Sequence, residues 1–128
     1  MVVDTSALAA ILFDEPDRPD LVRRLAAAPR RLISAGTVLE ASLVIEGRRG
    51  EHAGRELDLL LHRAAVKTVP VDDEQAQLAR AGWRRYGKGR HPAGLNYGDL
   101  FAYALARQTG DELLFKGEDF SRTDLGTR

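Results

Sequence analysis

A chain of 128 residues, 44% hydrophobic and 30% charged, holds material for one domain with a real core, residues 1–128, and no room for a second. Without cysteine it can form no disulfide, thiolate zinc site or thiol nucleophile, so its chemistry falls to carboxylates, hydroxyls, amides and three histidines. Nineteen basic and nineteen acidic residues cancel, which counts against a nucleic-acid partner unless the charge is segregated.

Met1-Val2-Val3 predicts a short buried strand, and Thr5 to Leu12 a helix stopped by Asp14-Glu15-Pro16-Asp17. The first charge arrives at Asp4, too early for a signal-peptide core, and no apolar run is long enough to span a membrane. A soluble, cytoplasmic chain is expected. Pro19 to Ala28 carries Leu21, Val22 and Leu25 at helical spacing, and Arg31 to Ser34 reads as a second strand. Gly36 is expected to separate that strand from a helix over Thr37 to Arg49. Ala53 to Ala65, with Leu57, Leu60 and Leu61 on one stripe, predicts the second arm of an αα-hairpin. A strand over Val66 to Val71 follows, then Asp72-Asp73-Glu74-Gln75 resembles a capping box opening a helix from Asp73 to Tyr86. Gly87 to Gly94, with three glycines and a proline, reads as a flexible loop. Leu95 to Thr109 predicts a last helix and Glu112 to Phe115 a last strand. Strands alternating with helices give an α/β fold with a parallel sheet, whose ligands gather beyond the strands' C-terminal edge.

Four acids stand in apolar surroundings: Asp4 after Val2-Val3, Glu40 within Val38 to Leu43, Asp99 before Leu100-Phe101, and Asp119 after Leu113-Leu114-Phe115. Gathered together, they require protonation or a bound cation, and oxygen-only ligands favour a hard ion such as Mg²⁺ or Mn²⁺. Each has a structural alternative. Asp4 can cap the following helix, with Thr5 or Ser6 sharing the work. An arginine can partner Glu40, and Asp99 fits the fourth position of a capping box opened by Asn96, whose amide can orient the carboxylate or a water. Glu118 competes with Asp119 as the fourth acid.

Basic residues do segregate. Arg84, Arg85, Lys88, Arg90 and His91 crowd one stretch, where Lys88 and Arg90 are candidates for phosphate contact, as is Lys116 beside the last acids. Solvated faces and ion pairs explain the same residues, and do so better for Arg30-Arg31 and Arg48-Arg49. Trp83, Tyr86 and Tyr97 offer stacking surfaces for bases, with helix packing as the plainer role. The histidines have no zinc-site spacing, and no phosphate-binding glycine loop occurs.

The order and spacing of Val2-Val3-Asp4-Thr5-Ser6-Ala7-Leu8, Leu39-Glu40-Ala41, Leu95-Asn96-Tyr97-Gly98-Asp99 and Leu114-Phe115-Lys116-Gly117-Glu118-Asp119-Phe120 resemble the PIN-domain ribonucleases, specifically the VapC toxins of type II toxin–antitoxin pairs. The resemblance covers nearly the whole chain, although the family's final edge strand is barely suggested after Thr123-Asp124-Leu125. It implies a PIN-like three-layer α/β fold with a short, mostly parallel central sheet. It also implies a Mg²⁺- or Mn²⁺-dependent endoribonuclease that attacks structured RNA, tRNA or rRNA, with water. By the same likeness Asp4 and Asp99 are the main metal ligands, Glu40 and Asp119 complete the acidic pocket, and Ser6 and Asn96 hold ligands or water in place. A VapB-like antitoxin and a homodimer are further implications. A non-catalytic RNA-binding or acidic-pocket signalling module is the competing reading, against which all four acids are present.

Overall fold

The computed structural model describes residues 1–126. Four strands, β1 (Val2–Val3), β2 (Leu32–Ser34), β3 (Lys67–Val69) and β4 (Leu113–Leu114), form one sheet in the order β3-β2-β1-β4, every pair parallel. Each crossover carries helices: α1 (Thr5–Leu12) and α2 (Arg18–Ala27), then α3 (Ala35–Arg49) and α4 (Glu51–Arg63), then α5 (Asp73–Tyr86) and α6 (Tyr97–Thr109). The parallel sheet therefore matches the α/β expectation, and among the described residues it has no antiparallel edge.

Side chains on successive strand residues point to opposite faces, and that alternation builds the layers. Val3, Ile33 and Leu114 enter a core with Leu8, Ile11, Leu21, Ala41, Ile45 and Leu57 from α1 to α4. Their neighbours Val2, Leu32 and Leu113 enter a second core with Tyr86, Ala102, Tyr103 and Leu105 from α5 and α6. Leu57 and Leu61 of the predicted stripe are buried in the first core. Two helical layers thus sandwich strands of two or three residues.

Several boundaries differ from the sequence reading, each for a capping reason. Helix α3 begins at Ala35, because the buried Ser34 hydroxyl accepts from Gly36 N at 3.2 Å and places Gly36 inside the helix. Helix α6 begins at Tyr97 because Asn96 caps it. At α5 only half of the expected capping box forms: Asp72 accepts from Gln75 N at 2.8 Å, while the buried Gln75 amide donates to Pro70 O and to Gln108. The 87–94 segment is a pinned turn. Lys88 N donates to Leu95 O and Leu95 N to Tyr86 O, both at 2.9 Å, and Gly89 and Gly94 take the positive φ that closes it. After β4 the chain forms a short 3₁₀ turn, Phe120–Arg122; the edge strand barely suggested after Thr123-Asp124-Leu125 falls almost wholly outside the described residues.

Strand order reverses at β1, which has β2 on one side and β4 on the other. The C-terminal edge at such a reversal is where open parallel sheets bind ligands. Ser34 caps the helix that carries Glu40, so Ser34→Ala is expected to lower unfolding free energy by about 1 kcal/mol, read from urea melts. An unchanged midpoint would show that the cap contributes nothing.

Candidate active site

The site starts from a switch in backbone form. Asp4 ends β1 in extended geometry and caps α1: its Oδ2 accepts from Ser6 N at 3.0 Å and from Ser6 Oγ at 2.6 Å. Ser6 Oγ in turn accepts from Lys116 N at 2.9 Å, so one hydroxyl ties the end of β1 to the segment after β4. Capping and burial go together here. Asp4 is 2% exposed, and its Oδ1 is buried with no hydrogen-bond partner. Burial first, and then the charge of Glu40, push its carboxyl up to about 6 despite the Ser6 hydrogen bonds that lower it.

From the opposite helical layer, α6 brings Asp99. The Asn96 amide oxygen accepts from Asp99 N, and Asp99 Oδ2 accepts from Asn96 N, both at 2.9 Å, completing the capping box read from the sequence. The Asn96 group that orients the carboxylate is thus its backbone N–H. Half-buried, Asp99 is pushed up to about 7, chiefly by desolvation and then by the charges of Asp4, Asp119 and Glu40. The four carboxylates therefore share one electrostatic neighbourhood.

Glu40 approaches from α3 in the first layer. Its Oε1 accepts from Thr5 Oγ1 at 2.5 Å, and among the described residues no arginine or lysine forms an ion pair with it. The arginine alternative finds no support among the described residues. Asp119 is exposed at the start of the 3₁₀ turn with no capping bond, whereas Glu118 pairs with Arg122 at 3.3 Å. That difference favours Asp119 as the fourth acid. Beside Glu40 lies an open groove of about 360 Å³ walled by Leu39, Leu43, Tyr97 and Phe101. A larger groove, about 650 Å³ between α5 and α6, reaches Asn96 but contains none of the four acids.

The basic candidates fare unequally. The Lys116 ammonium is bound to Glu15, which raises its pKa, and it is the Lys116 backbone that meets Ser6. Arg90 lies over the Trp83 ring, 4.5 Å from its centroid, and donates to Arg84 O. Lys88 is exposed and borders the larger groove. Of the aromatic candidates Tyr86 is a core residue, while Trp83 is 44% and Tyr97 80% exposed. The arginine pairs are structural: Arg30 bonds Asp111, Arg31 donates to Ala64 O and Ala26 O, and Arg48 and Arg49 both sit over Phe13.

Two residues of the site were not singled out by sequence. In the sequence Thr5 is notable only at the start of a helix, and Gly98 stands without a role of its own within Leu95-Asn96-Tyr97-Gly98-Asp99. Gly98 is buried, and a Cβ there would overlap the Glu40 carboxylate. A glycine in a first helical turn, where alanine is favoured, was the available signal.

Whether a divalent ion suits these residues is decided by their chemistry. Oxygen donors alone, a buried carboxylate oxygen without a partner, and mutual repulsion around Asp99 all fit a hard cation. Among the described residues no three His, Asp or Glu side chains are gathered closely enough to hold an ion by themselves. Mg²⁺ does not require that, since it keeps several waters and takes one or two carboxylates together with phosphate oxygens.

Comparison with known proteins gives the family and agrees with the fold. The family model described as PIN domain matches residues 1–125, and the chain belongs to the PIN-domain family. Within it the similarity is to VapC ribonucleases. The chain is 59% identical to ribonuclease VapC30 of Mycobacterium tuberculosis over 99% of its length and 97% of the relative's. It is 60% identical to ribonuclease VapC of Mycolicibacterium smegmatis, over 98% and 97%. The crystal structure of Mycobacterium tuberculosis VapC20, a sarcin-ricin loop cleaving toxin, superposes with a TM-score of 0.74 over 94% of this chain and 92% of that one, at 21% identity. At that identity the likeness speaks for the fold.

Both raised carboxyls bind a proton more tightly folded than unfolded, so their contribution to stability is full below about pH 4 and is lost as pH rises through about 6 and 7. In chelator, the urea midpoint of the metal-free protein is expected to fall across that window, and Asp4→Asn to flatten the fall and stabilise the protein at pH 7.5. A midpoint that instead rises from pH 4 to 7 in wild type and is insensitive to Asp4→Asn would contradict the assignment.

Proposed function

We propose that this VapC-family ribonuclease hydrolyses RNA phosphodiesters with water at the acidic edge of its sheet, loaded with Mg²⁺ or Mn²⁺. The observation that carries this reading is the buried, unpartnered Asp4 Oδ1 beside an Asp99 whose charge is opposed by three other carboxylates. Asp4 and Asp99 would hold the ion, and Glu40 and Asp119 would complete the pocket. Ser6 and Asn96 keep the first two acids in place by the bonds already described. When bound, the ion supplies Lewis acidity toward the phosphodiester and makes its water more acidic. Asp99 has one oxygen committed to the helix cap, leaving Oδ1 outside that cap.

Residues 1–128 are proposed to act as one unit, in the cytoplasm, on structured RNA such as tRNA or rRNA. Among the described residues no helix is long and apolar enough to cross a membrane. As the toxin of a pair, the protein would be restrained by a VapB-like antitoxin. Leu39 and Leu43, 63% and 66% exposed on α3 beside Glu40, supply apolar surface for such a protein partner. A homodimer is supported by the apolar groove between α5 and α6, with its exposed Trp83 and Tyr97.

Purified protein incubated with total RNA, followed by mapping of new 5′ ends, is expected to cleave with Mg²⁺ or Mn²⁺ and not with chelator. Asp4→Asn should lower the rate by roughly 10²-fold or more, while RNA binding persists or tightens as negative charge leaves the cleft. Chelator-resistant cleavage would overturn the metal-dependent reading. Among the basic candidates, Lys88→Gln should reduce the salt dependence of RNA binding by a log–log slope of roughly 0.7 on single strands. Arg90→Gln should leave the slope unchanged, because its guanidinium is engaged with Trp83 and Arg84; equal slopes for wild type and Lys88→Gln would remove Lys88 from the interface.

A further inference from the structure

We infer that Thr5 and Gly98 are positioning residues for Glu40, one holding a carboxylate oxygen and the other leaving the space that the carboxylate occupies. The inference rests on the proposed role of Glu40 in the acidic pocket. Glutamate reaches its carboxylate through three rotatable bonds, so a functional geometry needs external restraint. Among the described residues no cation supplies it. Thr5 Oγ1 does, donating to Oε1 at 2.5 Å, and Thr5 is the residue directly after Asp4. The hydroxyl that fixes Glu40 is therefore one peptide bond from the buried acid, which sets the spacing between the two carboxylates.

Gly98 supplies the second restraint from the other helical layer. It occupies the second position of α6, is buried, and has an ordinary helical backbone for which no glycine is needed. Alanine would be the better helix former there. What excludes it is Glu40: a Cβ on residue 98 would overlap Oε2 and Cδ and stand 2.8 Å from Oε1. The obstacle is the far end of a flexible side chain, so a methyl group can be admitted by turning the carboxylate away. The helix then survives while Glu40 loses its place. Neighbouring Asp99 keeps its capping box, because Asn96 and Asp99 bond each other through groups that Gly98 does not provide.

The test compares Gly98→Ala, Thr5→Val, Thr5→Ser, Glu40→Gln and the double variant Gly98→Ala/Glu40→Gln. It uses steady-state RNA cleavage, urea melts, and the ¹³C resonance of the Glu40 carboxyl in metal-free protein. Gly98→Ala is expected to melt at or above the wild-type midpoint, to lower kcat by about a hundredfold with KM nearly constant, and to shift the Glu40 resonance. Adding Gly98→Ala to Glu40→Gln should cost nothing more, because the group being positioned is already gone. Thr5→Val should lose activity with a shifted Glu40 resonance, and Thr5→Ser should restore most of both. Losses that multiply in the double variant would show that Gly98 acts through the fold and would overturn the inference. Full activity of Gly98→Ala beside an inactive Glu40→Gln would overturn the positioning role and leave Glu40 in the pocket, whereas a fully active Glu40→Gln would remove both. Should Gly98→Ala fail to fold, the Thr5→Val and Thr5→Ser pair decides on the resonance and the rate.

Discussion

Burying the Asp4 carboxylate at the end of β1, with Oδ2 bonded twice by Ser6 and Oδ1 bonded by nothing, is the constraint around which this sheet edge is arranged. An unsatisfied buried charged group costs more than the roughly 1–3 kcal/mol of a neutral one, so the fold tolerates it only if something else holds it there. That something is covalent and local. Asp4 follows two fully buried valines in the central strand and caps the helix that packs against the same core. Neither β1 nor α1 can form as it does without putting this side chain inside. Ser6 then extends the constraint across the sheet, since its hydroxyl joins Asp4 to the backbone of Lys116 after β4.

From that point the other acids arrive by layer. Alternation along two-residue strands separates the helices into two faces, and α3 and α6 meet again at the C-terminal edge, bringing Glu40 from one side and Asp99 from the other. Each acid is also bonded within the protein, Glu40 to Thr5 and Asp99 to Asn96, so each keeps a defined direction while its charge is opposed by the others. Repulsion held in place by hydrogen bonds is what a preorganised cation site would require, with donors positioned before an ion enters. The cost appears at Asp4 and Asp99, whose carboxyls are held well above their ordinary range, and a divalent cation bound there would relieve it.

Much of this was legible in the sequence because the informative signals are local. The Asn96 to Asp99 capping box needs only a three-residue offset, and the Val2-Val3-Asp4 switch only a buried run followed by a helix pattern. The first helix was read with its observed bounds for the same reason. What escaped depends on contacts between distant segments. The start of α3 was misplaced because Gly36 looks like a break, whereas Ser34 provides the cap. The engagement of Lys116 by Glu15, 101 residues away, has no local signature, and neither does the Thr5 hydroxyl's reach to Glu40. The loop 87–94 looked flexible from its glycines, but the same glycines permit the turn that pins it to Leu95. Gly98 lay in plain view within a motif; its reason for being glycine belongs to a side chain on another helix.

The unpartnered Asp4 oxygen and Asp99 are the proposed seat of a hard divalent ion. A crystal structure of the wild-type protein in Mn²⁺, with anomalous differences collected near the manganese edge, tests it directly. The expected result is an anomalous peak within roughly 2.0–2.2 Å of Asp4 Oδ1, the range for small hard cations, also bonded to Asp99 directly or through one water. A peak elsewhere on the protein, with Asp4 Oδ1 still without a partner at saturating Mn²⁺, would contradict it.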